Sequence, residues 1–244
     1  KKLRLGTTEM TIEELKKLDD RVSTGIEGLD DLIEGGFPRG SLILLAGSPG
    51  SGKTIASAQY LYHGITKLKE KGIYVSFAER KETFFKNMKR FGLDFETLEN
   101  QGNFKFLDIM TCSESAIDSA FNMILGEVSA TDAKRLVIDS FSAMAQAYEK
   151  KIDTRIMVHL LEKMMRETDC TTLMLVEIPI GSSIIGIGIE EFVADGIILF
   201  EIVGKKTGIR KRALIRKMRG TNHDMNYKSI IISTNGISLV SEVT

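Results

Sequence analysis

Short apolar runs alternate with longer segments of helical periodicity through most of this chain. The runs are rich in Leu, Ile and Val, and each is bounded by polar or glycine-containing segments. Near-continuous apolar runs of this kind are typical of strands that helices cover on both faces, as in a parallel sheet. The predicted strands are Leu42–Ala46, Ile73–Phe77, Phe104–Ile109, Leu136–Ile138, Thr172–Val176 and Ile197–Ile202.

Helical patterns occupy the segments between these strands. In the last of them Ile156, Leu160 and Met164 recur at the spacing of one buried helix face. The predicted helices are Thr54–Lys71, Glu82–Phe91, Glu114–Ser129 and Asp153–Thr168. Strand–helix alternation predicts an α/β fold with a mostly parallel central sheet, flanked by helices and wound by right-handed crossovers.

The two ends of the chain depart from this alternation. Thr11–Leu18 predicts a short amphipathic helix, with Thr11 and Glu14 forming a capping box. Near the other end, Ala213–Met218 and Ser229–Ser233 predict antiparallel strands joined by a polar loop. We therefore predict one domain over residues 1–244, with a helical extension over 1–20, a core over 21–203 and a C-terminal antiparallel β extension over 204–244.

Length and composition fit one soluble domain. The 244 residues include 33 Lys and Arg and 33 Asp and Glu, so a net charge of zero gives no global attraction for nucleic acid or membrane. No apolar run reaches the ~20 residues that cross a bilayer. The charged N-terminus lacks the apolar segment of a signal peptide, and together these features predict a cytoplasmic protein.

Residues 47–54 match the phosphate-binding loop of P-loop proteins in full. The segment reads Gly-Ser-Pro-Gly-Ser-Gly-Lys-Thr, with an apolar strand before it and a predicted helix after it. Glycines let the backbone aim its N–H groups at a phosphate. Lys53 supplies charge to the β- and γ-phosphates, and the Thr54 hydroxyl is placed to bind Mg²⁺. The predicted nucleotide contacts are Gly47, Ser48, Pro49, Gly50, Ser51, Gly52, Lys53, Thr54 and Ile55.

Two carboxylates follow predicted strands of the core. Asp139 ends the strand Leu136–Ile138, which places it at the carboxyl edge where open α/β folds bind ligands. We predict that Asp139 holds the Mg²⁺ through water together with Thr54, although a turn or helix cap is the alternative for such an Asp taken alone. Glu177 follows the strand Thr172–Val176. Its carboxylate has two alternative roles, contact with the γ-phosphate or a purely structural one.

These segments together resemble the KaiC-like branch of the RecA superfamily, from Arg21 to Val240. Besides the P-loop and Val137–Ser140, the resemblance rests on Ser23–Asp30 with Gly35-Gly36, on Glu190–Gly196 and on Lys217–Thr221. The five segments in this order are far more specific for the family than any one of them alone. The resemblance implies an ATPase that uses ATP and Mg²⁺, assembles as a homo-oligomer, commonly a hexamer, and holds nucleotide between subunits. Our leading hypothesis adds that the chain uses its ATP state to regulate an unidentified protein partner.

Lys217 and Arg219 form the last of these motifs. They are two apart on a predicted strand, so both side chains leave the same face and can reach one phosphate group. In the resembled family this pair comes from the neighbouring subunit and contacts the γ-phosphate, which is arginine-finger chemistry. The residues alone leave a solvated basic strand as the alternative.

The chain departs from the family pattern at the catalytic base. Members usually carry a Glu-Glu pair after the second strand, and its first Glu polarises the attacking water. Here Ala78 stands at the first position and Glu79 at the second. General-base assistance is worth about 10²–10⁴-fold in rate, and on a strand Glu79 would point away from the side that Ala78 faces. We therefore predict ATP binding with slow hydrolysis and keep Glu79 as the remaining catalytic candidate.

Other functions stay open at this point. A DNA-binding recombinase paralogue of the RecA type is suggested by a basic C-terminal region, although it carries no interleaved aromatic residue for base stacking. Its basic residues are Lys205, Lys206, Arg210, Lys211, Arg212 and Arg216. Ala78 also suggests a nucleotide-gated scaffold with negligible hydrolysis. An autokinase is disfavoured, because Glu190–Phe192 lacks the Ser and Thr of the phosphorylating family members.

Overall fold

The computed structural model describes residues 2–5, 8–11, 20–109, 114–142, 159, 167–178, 193–205 and 208–242. The strands are β1 (Lys2–Leu5), β2 (Thr8–Thr11), β3 (Arg21–Val22), β4 (Phe37–Pro38), β5 (Leu42–Gly47), β6 (Gly72–Ser76), β7 (Phe104–Asp108), β8 (Arg135–Asp139), β9 (Thr171–Glu177), β10 (Gly196–Lys205), β11 (Gly208–Met218), β12 (Lys228–Ser233) and β13 (Gly236–Ser241). The α-helices are α1 (Lys53–Leu68), α2 (Lys81–Lys89), α3 (Phe95–Asn100) and α4 (Glu114–Thr131), and Asp30–Ile33 forms a 3₁₀ helix.

One nine-stranded sheet organises the fold, in the order β13-β12-β11-β10-β5-β9-β8-β6-β7. The six strands from β10 to β7 in this order are parallel to one another. The strands β10 to β13 pair antiparallel. The predicted α/β fold, with a mostly parallel sheet and an antiparallel C-terminal extension, is confirmed.

Apolar side chains cover both faces of the central strand β5. Ile43 and Leu45 join one buried cluster, whereas Leu42, Leu44 and Ala46 join the other. Helix α1 packs against the first cluster and helix α4 against the second. Burial on both faces is what the continuous apolar run predicts. Strand β5 is therefore a central element, with Gly47 at the carboxyl edge of the sheet and Leu42 at the amino edge.

Helix bounds differ from the prediction by a few residues. Helix α1 ends at Leu68 rather than Lys71, because Lys69 adopts a positive φ of 60° and its N–H bonds to the carbonyl of Gly64. Helix α3 is an additional element, and the Asp94 side chain accepts a hydrogen bond from Thr97 N at its start. Most of the predicted helix Asp153–Thr168 lies outside the described residues.

Two strands lie in the described part of the N-terminal extension, ahead of the predicted helix Thr11–Leu18. Strands β1 and β2 pair antiparallel there, with Lys2 opposite Thr11. Thr11 is the last residue of β2, and residues 12–19, which hold the rest of the predicted helix Thr11–Leu18, lie outside the described residues. The alternation of polar and apolar residues over Lys2–Leu5 is a strand pattern.

The C-terminal extension contains one strand more than predicted. Strands β12 and β13 form a hairpin, with Ser233 opposite Gly236 across the turn residues Thr234 and Asn235. An Asn-Gly pair between apolar runs is a strong hairpin signal that could have identified it. Among the described helices, none is long and apolar enough to span a bilayer.

Candidate nucleotide site

The P-loop joins the end of β5 to the start of α1. Gly50 and Gly52 have positive φ values of 78° and 108°, which L side chains rarely adopt. A Cβ at Gly47 would lie only 2.3 Å from the backbone oxygen of Phe200. These glycines are therefore required by the backbone itself. They let the loop fold tightly at the N-terminus of α1, where helical N–H groups favour an anion.

Lys53 lies inside this loop. Its Nζ donates to the carbonyl oxygens of Gly47 at 2.7 Å and Ser48 at 3.1 Å, and the residue is only 8% exposed. Burial lowers the pKa of Lys53, while the charges of Glu177 and Asp139 act in the opposite direction. The loop thus holds a cation at the position where the motif predicts a phosphate.

The structure brings Asp139, the last residue of β8, together with Thr54. Its Oδ2 accepts a hydrogen bond from Thr54 Oγ1 at 3.0 Å and another from the Tyr74 hydroxyl at 2.6 Å. Burial raises the pKa of Asp139, and the hydrogen bonds from Tyr74 and Thr54 and the charge of Lys53 oppose this rise. A hydroxyl and a carboxylate on one side of a phosphate loop fit Mg²⁺, which takes few protein oxygens and keeps water and phosphate ligands.

Tyr74 is a site residue that sequence reasoning missed. It lies in the middle of β6 and is buried, so it looks like an ordinary core residue of an apolar strand. A tyrosine hydroxyl needs a partner when buried, and this requirement is the only sequence signal for its role. Its partner is the Asp139 carboxylate, which it helps to orient toward Thr54.

Glu79 faces the same site, contrary to the expectation from strand alternation. Strand β6 ends at Ser76, and a bend follows over residues 77–79, so alternation does not extend to Glu79. Burial raises the pKa of Glu79, a hydrogen bond from the Asn87 amide to Oε1 at 2.8 Å opposes the rise, and the charge of Asp139 adds to it. Glu79 and Thr54, one of the predicted magnesium residues, line the same cavity beside the P-loop, whereas Ala78 is exposed.

A cavity of about 730 Å³ adjoins the P-loop. It is large enough for a small-molecule ligand, and its wall combines apolar side chains with a few polar groups. Helix α2 and the β12–β13 turn contribute to this wall, and neither was predicted to do so. The lining residues are Thr54, Ile55, Glu79, Asn87, Met88, Arg90, Phe91, Ile232, Ser233 and Thr234.

Glu177 lies at the same edge of the sheet. It ends β9 and pairs in register with Gly47, the first residue of the P-loop. Its backbone N–H donates to the Ser142 hydroxyl at 2.8 Å. Its charge acts on both Lys53 and Asp139, so Glu177 belongs to the electrostatic surroundings of the loop.

Lys217 and Arg219 lie at the opposite edge. Lys217 Nζ donates to the carbonyl of Ala194 at 2.7 Å, and Arg219 Nη1 is 3.4 Å from the Asp195 carboxylate. Asp195 in turn accepts a hydrogen bond from Leu42 N, at the start of β5, at 3.0 Å. Because a strand advances about 3.3 Å per residue, the two ends of β5 lie about 16 Å apart. The two cations reach one short segment together, but that segment is remote from the P-loop of the same chain.

The basic C-terminal region is partly neutralised within the chain. Arg212 pairs with Glu201 at 2.7 Å, and its guanidinium lies 3.6 Å from the ring centroid of Tyr227. Arg210 is exposed, and Lys206 lies outside the described residues. An aromatic ring is therefore present beside this region, but the guanidinium of Arg212 covers it. That arrangement gives the nucleic-acid alternative no support from base stacking.

Comparison with known proteins matches this architecture to one family. The protein-family model described as "ATPase: KaiC" matches residues 22–244. This chain belongs to the KaiC family of ATPases. The match includes the P-loop, Asp139 and the segment with Lys217 and Arg219, so both edges of the sheet lie within the family region.

Several KaiC-family proteins are similar over most of the chain. UPF0273 protein PH0284 of Pyrococcus horikoshii is 31% identical over 232 residues, covering 89% of this chain and 92% of its own. The crystal structure of the KaiC-like protein PH0186 from the same organism aligns with a TM-score of 0.82 and 38% identity, covering 90% of this chain and 98% of that one. The circadian clock oscillator protein KaiC of Thermostichus vulcanus is 31% identical over 95% of this chain, which spans 45% of the oscillator's length.

Proposed function

We propose that this KaiC-family chain is a slow, Mg²⁺-dependent ATP hydrolase that works as a cytoplasmic homo-oligomeric ring, a hexamer, and uses its nucleotide state to regulate a protein partner. One observation carries the proposal. The P-loop and the Lys217–Arg219 pair lie at opposite edges of one sheet, which supports a site completed between copies rather than within one chain.

The carboxyl edge supplies the nucleotide-binding half. Lys53 and the P-loop N–H groups hold the β- and γ-phosphates, and the adjoining cavity takes the base and ribose. Thr54 and Asp139 hold the Mg²⁺, which would neutralise developing negative charge on the phosphates when bound. Tyr74 keeps the Asp139 carboxylate turned toward Thr54 by its 2.6 Å hydrogen bond.

Glu79 supplies the water-activating group. A raised pKa makes a carboxylate a stronger base, and Glu79 lines the same cavity as Thr54, which supports a role at the phosphate end of the site. Asn87 binds one oxygen of this carboxylate and leaves the other to accept a proton from water. Ala78 offers no second carboxylate, which is the reason for slow turnover.

Lys217 and Arg219 supply the other half from a neighbouring copy. Their own P-loop is out of reach because β5 separates them from it, whereas a head-to-tail ring places the amino edge of one copy against the carboxyl edge of the next. A finger of this kind stabilises charge in the transition state. Assembly is then part of the active site.

The proposal is tested by measuring ATP turnover and solution mass together. We expect slow Mg²⁺-dependent turnover that Lys53→Ala abolishes, and a ring of identical copies in ATP and Mg²⁺. A chain that stays monomeric with and without ATP and Mg²⁺ would contradict the shared site. A ring whose turnover equals that of Lys53→Ala would instead identify a nucleotide-gated scaffold.

A further inference from the structure

A single arginine holds the loop that follows Lys217 and Arg219. Arg21, the first residue of β3, donates from Nη1 to the Thr221 hydroxyl at 2.7 Å. It also donates from Nη2 to the carbonyl oxygen of Gly220 at 3.3 Å. Its side chain is only 12% exposed. One guanidinium therefore binds a backbone and a side-chain group of the same short loop.

The same guanidinium is fixed from its other side. Nη1 also donates to the carbonyl of Gly36 at 3.4 Å, and Nη2 pairs with the Glu34 carboxylate at 3.1 Å. A Cβ at Gly36 would lie 2.3 Å from the carbonyl oxygen of Val22, so glycine allows this turn to approach β3. The planar fork of Arg21 carries donors on two separate nitrogens that bind both sides at once, whereas a lysine ammonium donates from a single nitrogen.

Asp195 holds Arg219 from the body of the sheet. Its backbone oxygen accepts from Arg219 N at 2.8 Å, and its Oδ1 lies 3.4 Å from Arg219 Nη1. Its Oδ2 accepts from Leu42 N at 3.0 Å, and its own N–H donates to the Leu42 carbonyl at 2.8 Å. The carboxylate is buried, with 7% of the side chain exposed. It ties Arg219 directly to the first residue of the rigid strand β5.

We propose that Arg21 and Asp195 are positioning residues for the half-site that one copy donates to the next. They fix the loop of residues 219–221 from two sides, so that Lys217 and Arg219 meet the neighbour's γ-phosphate in one arrangement. This inference rests on the proposed function. Three parts of the chain that lie away from the P-loop thereby acquire one shared role at the amino edge. They are Arg21 with the turn that contains Glu34 and Gly36, Asp195, and Lys217–Thr221.

The two residues act on turnover rather than on binding by the P-loop. Lys53, Thr54 and Asp139 of the same copy lie at the other edge and keep their contacts when Arg21 changes. A reacting group displaced by about 1 Å can cost about 100-fold in rate. Loss of Arg21 should therefore lower kcat strongly while KM changes far less.

The test compares Arg21→Ala with a matched arginine at the same edge. Arg39 carries ion pairs to Asp20 at 2.6 Å and to Glu70 at 3.3 Å. We expect Arg21→Ala to lower kcat about 10- to 100-fold and Arg39→Ala to retain the wild-type rate. Arg21→Lys keeps the charge but loses the fork, and we expect an intermediate kcat. Thermal melting of each variant identifies any that fails to fold, and Thr221→Val, which removes only the bonded hydroxyl, then replaces Arg21→Ala.

Mixing subunits separates positioning from a general structural role. Arg21→Ala copies keep an intact P-loop, and Lys53→Ala copies keep Lys217, Arg219 and the loop of residues 219–221 intact. An excess of Lys53→Ala should therefore restore turnover to Arg21→Ala. Wild-type kcat in Arg21→Ala, together with a slow Arg219→Ala, would overturn this inference and leave the proposed function standing. The inference would also be overturned if excess Lys53→Ala restored turnover to Arg219→Ala but not to Arg21→Ala. Wild-type kcat in Arg219→Ala would overturn the proposed function itself.

Discussion

In the proposed function, the two edges of the central sheet supply different halves of one nucleotide site. At the carboxyl edge, Lys53, Thr54, Asp139 and Glu79 surround a phosphate loop and its adjoining cavity. At the amino edge, Lys217 and Arg219 bind a short segment beside Leu42. The carboxyl edge has the features of a nucleotide site, and the amino edge presents cations of the kind that complete one.

Strand β5 explains why these halves stay apart within one chain. It begins at Leu42, near Arg219, and ends at Gly47, where the P-loop starts. All six of its residues are buried, and it pairs with parallel strands on both sides. A strand held in this way does not bend to close a gap of about 16 Å. The separation therefore favours a site completed between copies over one closed by a local movement.

The largest expected effect is at the amino edge. Arginine fingers are worth about 10³–10⁵-fold in kcat, so Arg219→Ala should lower kcat within that range. ATP binding should persist, because the phosphate loop is untouched. Steady-state turnover beside a direct binding measurement checks this. Arg210→Ala, an exposed cation on the same strand β11, is the matched control and should behave like the wild type.

A smaller effect is expected at the carboxyl edge from Glu79→Gln. The amide keeps the shape and the contact with Asn87 but cannot take a proton, so kcat should fall about 10²- to 10⁴-fold. Because burial raises the pKa of Glu79, the wild-type rate should decline with falling pH at a higher pH than an ordinary glutamate would give. The pH profile of Glu79→Gln should lack that decline.

Ala78→Glu complements this prediction by restoring the carboxylate that the family usually carries. A gain in turnover would show that the missing group limits the rate. An unchanged rate in both Ala78→Glu and Glu79→Gln would mean that the base lies elsewhere, and the carboxyl edge would then be a binding half only.

The smallest expected effect concerns stability rather than rate. Burial raises the folded-state pKa of Asp139 above its unfolded value, so the stability it contributes is full below the unfolded pKa and is lost as pH rises through the folded one. Asp139→Asn removes this penalty and still accepts hydrogen bonds from Thr54 and Tyr74. Without Mg²⁺ it should raise Tm by a few degrees at neutral pH, and the gain should disappear in acid.

Asp132→Asn is the control for that measurement. Asp132 is exposed, has a positive φ of 53° that Asn tolerates, and pairs with Lys134 at the surface. Its replacement should leave Tm and its pH dependence nearly unchanged. A Tm gain in Asp132→Asn equal to that in Asp139→Asn would contradict a cost specific to the phosphate site.

Sequence patterns predicted the carboxyl edge better than the amino edge, for a physical reason. The P-loop is one continuous segment, and its glycines, Lys53 and Thr54 act within a single turn of chain. The contact of Tyr74 with Asp139 spans 65 residues, and that of Arg21 with Thr221 spans 200. Such contacts depend on the sheet order, which no local pattern specifies.

Errors in orientation had a local origin. Alternation along the predicted strand Ile73–Phe77 turns Glu79 away from the side that Ala78 faces, but β6 ends at Ser76 and Glu79 lines the cavity beside the P-loop. Strand ends are set by where pairing with β7 and β8 stops, which the sequence alone does not show. The presence of the strand was predicted correctly, and its last residue decided the role of the side chain that follows.

The most direct test of the central claim is to mix two inactive variants. Lys53→Ala lacks the phosphate-binding half and keeps the finger, whereas Arg219→Ala lacks the finger and keeps the phosphate-binding half. In an equal mixture that assembles at random into head-to-tail rings, one interface in about four joins two intact halves, so turnover should recover to about a quarter of the wild-type rate. A mixture that stays as inactive as its parts, although both variants assemble, would contradict a site shared between copies.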